Sequence, residues 1–283
     1  MEKYAIALGM FDGVHKGHTA VLMGAINSPY KSVAVTFSSI PFKKGGSIMS
    51  AEEKREKLLS LGIDEVRFLN FFEIKDLSPE EFLAYISQKN NIGKICCGFN
   101  YRFGKNAAGD TAFLNAWCKS RGIEFFECPA VLSGDTTVSS TYIKSLIENG
   151  QIEEANRLLE HNFGFTSKVL NGDKRGRTIG FPTINQLYPE TLIAPKYGVY
   201  QTKVTVNGKS YNGVTNIGFR PTYITDYISA ETYILDFSGD IYGQEVKTEL
   251  ISFLREEKKF SSLEQLKNAI AENANYVKQN SQV

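Results

Sequence analysis

The 283-residue sequence has almost no net charge: 32 Lys and Arg stand against 31 Asp and Glu, giving +1. So even a balance supplies no long-range field toward a polyanion, which argues against nucleic acid or an anionic membrane as partner. Long apolar runs are missing too. None approaches the roughly 20 residues that a membrane-spanning helix needs. No cationic leader with an apolar core opens the chain, so no secretory signal is expected. Cysteine is sparse. Cys96, Cys97, Cys118 and Cys128 have no metal-ligand spacing and read as reduced thiols of a cytoplasmic protein. The pattern G-x-x-x-x-G-K-(S/T) occurs nowhere, which excludes a P-loop kinase. What is present, 42% hydrophobic and 22% charged residues, is ordinary for a globular chain. The length suits about two domains.

Histidine is scarce at three residues, and two of them share one stretch, Gly9-Met10-Phe11-Asp12-Gly13-Val14-His15-Lys16-Gly17-His18. The apolar run Tyr4 to Leu8 before it reads as a buried strand, and a helix is expected from about Thr19 to Ala25. A helix start carries unpaired N–H groups and partial positive charge, which favours phosphate. Imidazoles there can donate to phosphate oxygens and stabilise charge that develops during transfer.

Strands and helices alternate through the first half. Strands are expected at Lys31–Phe37, Glu65–Leu69, Lys94–Gly98 and Ile123–Cys128. Helices are expected after the Ser50 cap to Leu59 or Ser60, after Ser78-Pro79-Glu80-Glu81 to about Gln88, and over Ala112–Ser120. This alternation predicts an α/β domain with a doubly wound parallel sheet, whose ligands sit beyond the C-terminal strand ends. Two more polar stretches fall at such places. Phe99-Asn100-Tyr101-Arg102-Phe103-Gly104-Lys105 is either a ligand loop or a surface loop with packed aromatics. Val138-Ser139-Ser140-Thr141-Tyr142-Ile143-Lys144 opens a helix to about Asn149; it suits a triphosphate or is simply well capped.

Together the three stretches resemble the HxGH nucleotidyltransferases and, in the longer form GxFDGVHxGH, the adenylyltransferase half of the bacterial riboflavin kinase/FAD synthetases. The resemblance implies that His15 and His18 are catalytic. It implies that Gly9, Phe11, Asp12, Gly13, Asn100, Ser139, Ser140, Thr141 and Lys144 bind ATP and its phosphates. Lys144 stands where the family usually has arginine, and Thr36-Phe37-Ser38-Ser39-Ile40-Pro41 stands where relatives commonly read TFxPxP.

An amphipathic helix over Ile152–Glu160 precedes a change of pattern, so the domains are read as 1–160 and 161–283, with His161 a solvated linker residue. Short strands are expected at Phe165–Leu170, Gly198–Val206, Lys209–Asn216, Glu231–Phe237 and Gln244–Leu254, with Asn207-Gly208 as a hairpin turn. They predict a small antiparallel β-barrel, with a terminal helix from Ser262 to about Lys278 packed against it. The stretch from Gly172 to Asn185 interleaves glycines with three cations and could wrap polyphosphate or be a basic hairpin loop. Thr183 and Asn185 point the same way on an extended segment, and their oxygens are reasonable Mg²⁺ ligands beside phosphates.

With Gly218-Phe219-Arg220-Pro221-Thr222, Glu231 and Leu254-Arg255-Glu256-Glu257-Lys258-Lys259-Phe260, this half resembles the riboflavin kinase fold. The resemblance implies that Gly172, Lys174, Arg175, Gly176, Thr183, Asn185 and Arg255 bind ATP or flavin. It also implies that Thr183 and Asn185 hold Mg²⁺ and that Glu231 is the general base. Relatives often have an aspartate in the last helix; here Ala271-Glu272-Asn273 stands, and no site residue is assigned. The expected function is phosphorylation of riboflavin to FMN with ATP, then adenylylation of FMN to FAD with release of pyrophosphate. Two alternatives stay open, a chain with only one of these activities and a non-catalytic flavin- or nucleotide-binding regulator. Expected partners are the small molecules ATP, riboflavin and FMN; the oligomeric state is not legible.

Overall fold

A computed structural model describes residues 2–38, 45–88, 91–171, 180–220 and 227–280. Contacts divide the chain into two units, Met1–Tyr142 and Ile143–Val283.

The first unit is a five-stranded parallel sheet. Its strands are β1 (Tyr4–Leu8), β2 (Lys31–Phe37), β3 (Glu65–Leu69), β4 (Ile92–Gly98) and β5 (Glu124–Cys128), ordered β3-β2-β1-β4-β5. Both sheet faces are buried, so the strands read as near-continuous apolar runs. Alternate residues of each strand go to opposite cores. Ala5, Ala7 and Cys96 enter one core, and Ile6, Leu8 and Cys97 enter the other. Burial pushes both thiols up to about 12.

The helices of this unit are α1 (Lys16–Ile26), α2 (Ala51–Ser60), α3 (Phe71–Ile74), α4 (Pro79–Ser87) and α5 (Thr111–Ser120). Ser50 with Glu53, and Ser78 with Glu81, close full capping boxes, as the sequence predicts. Helix α1 starts three residues before the expected Thr19. The His15 ring caps it, Nδ1 accepting from the His18 N–H at 3.4 Å, which puts His18 inside the first turn. A two-stranded ribbon, β6 (Leu132–Ser133) with β7 (Thr136–Thr137), follows β5. Helix α6 (Ser140–Glu148) begins at the end of this unit.

The second unit is a closed antiparallel barrel. Its strands are β8 (Gly164–Leu170), β9 (Thr183–Leu187), β10 (Gly198–Val206), β11 (Lys209–Arg220), β12 (Tyr227–Ile234) and β13 (Glu245–Arg255), in the order β10-β11-β12-β9-β8-β13. Asn207 and Gly208 both have positive φ, the geometry that turns β10 into β11. Strand β12 begins four residues before the expected Glu231, and its pairing with β9 sets the frame. Inside the barrel the Thr202, Thr215 and Thr232 hydroxyls form a buried ladder with spacings of 2.9 and 2.8 Å. Neighbouring side chains on β12, Glu231 among them, therefore face outward.

Helix α7 (Ile152–Leu159) belongs to this unit by contact. The Asn156 Nδ2 donates to the Leu250 carbonyl, and its Oδ1 accepts from the Phe163 N–H. The terminal helix α8 (Leu263–Asn280) lies against β11.

Candidate functional site

The order β3-β2-β1-β4-β5 reverses direction between β1 and β4, and ligands of open parallel sheets gather at such a reversal. The Gly9–His18 loop follows β1 and the Phe99–Lys105 loop follows β4. They open into one cavity of about 750 Å³, which the start of α6 completes. Gly9, Phe11, His15, His18, Asn100, Ser139, Ser140 and Thr141 all line it. Three segments far apart in sequence are thus brought together, with two helix N-termini at one cavity.

The β1 loop is held in a costly conformation. Phe11, Gly13 and Val14 have φ of 48°, 83° and 41°. Such values suit glycine but strain a β-branched residue. The strain is held because the Phe11 and Val14 side chains are buried. Asp12 is also buried, and its carboxylate accepts from the Ile48 N–H at 2.8 Å. Asp12 and Gly13 therefore build the loop and do not line the cavity. Lys144 does not line it either.

The Ser140 hydroxyl donates to the Asp12 carbonyl at 2.9 Å, tying the start of α6 to the loop. Ser139 caps α6 by accepting from the Tyr142 N–H at 3.2 Å. Gly17 leaves room for the histidine face, since a Cβ there would stand 3.2 Å from the His15 ring. The two imidazoles stack with centroids 3.6 Å apart. Burial pulls the His15 imidazole down to about 4, against the opposing effect of Asp12. The aromatics of the β4 loop divide: Phe103 is core, while Phe99 is exposed at the cavity.

Lys54 was not legible as a site residue. It is 3% exposed, and its ammonium donates to the carbonyls of Met10 at 3.1 Å and Phe37 at 2.8 Å. Both acceptors belong to cavity-lining residues, so Lys54 joins the ends of β1 and β2.

A second cavity, about 640 Å³, lies between the outer face of the barrel and α8. Thr183, Asn185, Glu231 and Arg255 all line it. The register explains the first three. Asn185 pairs directly with Glu231, and Tyr233 with Thr183, so these side chains share one face. Arg220 pairs with Glu231, and its Nε donates to the Ser229 hydroxyl at 3.3 Å. Asn216, opposite Glu231 on β11, donates to the Glu257 carboxylate at 2.9 Å. Burial lowers the Arg255 guanidinium, with Glu272 opposing. Gly172, Lys174, Arg175 and Gly176 lie outside the described residues, as do Ser39, Ile40 and Pro41 of the Thr36–Pro41 departure.

The donor set suits Mg²⁺. Thr183 and Asn185 offer two neutral oxygens on one strand face, and Glu231 stands beside them. Mg²⁺ takes most of its ligands from phosphates and water, so a sparse set of hard oxygens fits it. His161 lines neither cavity.

Residues 1–142 match the family model described as FAD synthetase, and residues 159–281 match the one described as riboflavin kinase. A bifunctional riboflavin kinase/FMN adenylyltransferase of Listeria monocytogenes is 36% identical over 277 residues, covering 92% of this chain and 87% of that protein. The protein of the same description from Bacillus subtilis is 33% identical, covering 95% and 89%. A solved structure from Streptococcus pneumoniae, described as a macrolide-efflux protein, superposes with a TM-score of 0.90 at 29% identity, covering 99% of this chain and 95% of that one. Among the described residues no helix is long and apolar enough to cross a membrane.

Proposed function

Because the chain belongs to the bifunctional riboflavin kinase/FMN adenylyltransferase family, we propose that its two cavities are its two reaction sites. The enzyme phosphorylates riboflavin to FMN with ATP, and it adenylylates FMN to FAD with release of pyrophosphate. The observation that carries the assignment is convergence: three motifs of the first unit line one cavity, and four site residues of the barrel line another.

At the first site the FMN phosphate attacks the α-phosphorus of ATP, and pyrophosphate leaves. The N-termini of α1 and α6 receive the triphosphate. Gly9, Phe11, Asn100, Ser139 and Thr141 shape its cradle. Asp12, Gly13 and Ser140 hold the loop in place, and Lys144 adds a cation one turn into α6. His15 is neutral near physiological pH. With Nδ1 accepting from the His18 amide, it carries its proton on Nε2. That N–H and the His18 ring donate to the oxygens on which charge develops.

At the second site Glu231 takes the proton of the terminal ribityl hydroxyl as that oxygen attacks the γ-phosphorus of ATP, and ADP leaves. Thr183 and Asn185 would hold Mg²⁺ together with phosphate oxygens. The ion, when bound, neutralises charge on the transferring phosphoryl group. Arg220 orients the Glu231 carboxylate. Arg255 and the Gly172, Lys174, Arg175 and Gly176 loop are assigned to ATP or flavin by their motifs. We divide the two functions at residue 160, and we place the enzyme in the cytoplasm, on the support of four free, buried thiols.

Two incubations test this, one with ATP, Mg²⁺ and riboflavin, the other with ATP, Mg²⁺ and FMN. His18→Ala abolishes FAD formation and leaves FMN formation intact, and Glu231→Ala does the reverse. A folded variant that loses both activities overturns the two-site assignment.

A further inference from the structure

Helix α2 buries two residues, Lys54 and Leu58, one turn apart on one face. Leu58 belongs to an apolar core cluster. Lys54 holds the neighbouring core position with an ammonium group. Burying such a charge is costly unless its protons find acceptors. A methionine would fill the same place without that cost, so packing alone does not account for a lysine.

The acceptors do. Backbone pairing carries β1 beside β2 as far as the Gly9 N–H, which donates to the Val35 carbonyl at 3.3 Å. Past that point Lys54 joins the two chains, its Nζ donating to the carbonyls of Met10 at 3.1 Å and Phe37 at 2.8 Å. The Met10 carbonyl also accepts from the buried Thr36 hydroxyl at 2.8 Å. This joint stands between two unlike parts of the first cavity. On the Phe37 side the lining is apolar, with Val35, Leu69, Phe71 and Ile74. On the Met10 side begins the loop that carries His15 and His18, to which Ser140 ties the start of α6. The flat, largely apolar flavin suits the first part, and a triphosphate suits the second, with its two helix N-termini.

The FMN phosphate has to meet the α-phosphorus of ATP where these parts join. Attack of this kind needs the reacting atoms held at roughly 3–3.5 Å, and a misplacement of about 1 Å can cost about a hundredfold in rate. We infer that Lys54 is a positioning residue for adenylyl transfer, which sets the separation between the acceptor side and the nucleotide side of the cavity. This inference rests on the adenylyltransferase reading of that cavity.

The test uses the full chain and steady-state FAD formation from FMN and ATP. Lys54→Met keeps the bulk and removes the joint. Its kcat falls about a hundredfold. The KM for FMN and the KM for ATP change little, because each substrate touches one side. FAD supplies a readout that a loss of folded enzyme does not move. It spans both sides through a fixed pyrophosphate link, so its affinity depends on their separation. The inhibition constant of FAD against FMN therefore rises about tenfold, or 1.4 kcal/mol. FMN formation from riboflavin stays intact. Thr36→Val removes the second donor to the Met10 carbonyl while Lys54 still holds it. It shows the same pattern at smaller size, and it decides the matter if Lys54→Met does not fold.

A normal kcat with an unchanged FAD inhibition constant, in Lys54→Met or, where that variant does not fold, in Thr36→Val, overturns the inference. So does a rise in the KM of one substrate at unchanged kcat, which would assign Lys54 to the binding of that substrate. Wild-type protein that makes no FAD from FMN and ATP overturns the adenylyltransferase reading itself, which separates the two failures.

Discussion

His15 does two jobs with one ring. Its Nδ1 finishes the start of α1, and its other edge faces the cavity. Both need the ring neutral, and burial keeps it so, pulling its pKa from 6.5 to about 4. The consequence for stability has a definite sign. Between those two values the unfolded chain binds a proton that the folded chain does not, so stability falls as pH drops through the window. The loss approaches about 3 kcal/mol at its acid end. The only tryptophan, Trp117 on α5, reports on the first unit alone. Urea unfolding followed by its fluorescence shows a midpoint that falls between about pH 7 and about pH 5. In His15→Asn the fall is smaller. A wild-type midpoint that is flat over this range contradicts the buried, neutral ring. The sequence put His15 at the site but gave no sign of its charge state, which depends on neighbours contributed by the whole loop. Lys54 escaped for the same reason: its meaning lies in what surrounds it, and no motif marks that.

The elements that could be read from sequence are those with local causes. The starts of α2 and α4 follow from a serine and acids within four residues, with a proline added in α4, and β10 with its Asn207-Gly208 turn follows from alternation and a glycine. Elements set by pairing or capping at a distance were shifted. The start of α1 was missed because a histidine is an unusual cap, and β12 because its register depends on β9. The four-residue α3 has too little pattern to show. The β1 loop links these levels, since its strained path exists only because Phe11 and Val14 are buried while Gly13 turns between them. Gly13→Ala puts a Cβ at φ 83°. The cost is on the order of 1–2 kcal/mol, seen as a lower Trp117 unfolding midpoint. FAD formation falls with it, because the loop carries His15, while FMN formation is unchanged. An unaltered midpoint with normal FAD formation shows that the loop tolerates the side chain and that its conformation is not what places the histidines.

The molecule as a whole joins two chemistries that share a nucleotide and pass one product between them. Among the described residues each cavity is lined from one unit: the first by residues between Leu8 and Thr141, the second by residues between Leu170 and Asn273. With each of these linings drawn from one unit, FMN made at the barrel has the chemistry to react at any first-unit site, in its own chain or another. This leads to a complementation experiment. His18→Ala makes FMN and stops there, and Glu231→Ala makes FAD only when FMN is supplied. Mixed in equal amounts with riboflavin, ATP and Mg²⁺, the two variants together form FAD. The product appears after a lag, while free FMN builds up toward the KM of the second site. Adding unlabelled FMN to a mixture fed labelled riboflavin dilutes the label in FAD in proportion. If each variant keeps its single activity but the mixture yields only FMN, transfer through solution is wrong and the intermediate has to pass within one chain. Undiluted label in FAD from the wild-type enzyme alone would locate that passage in the intact protein, and the separate linings of the two cavities would then describe the chemistry but not the route.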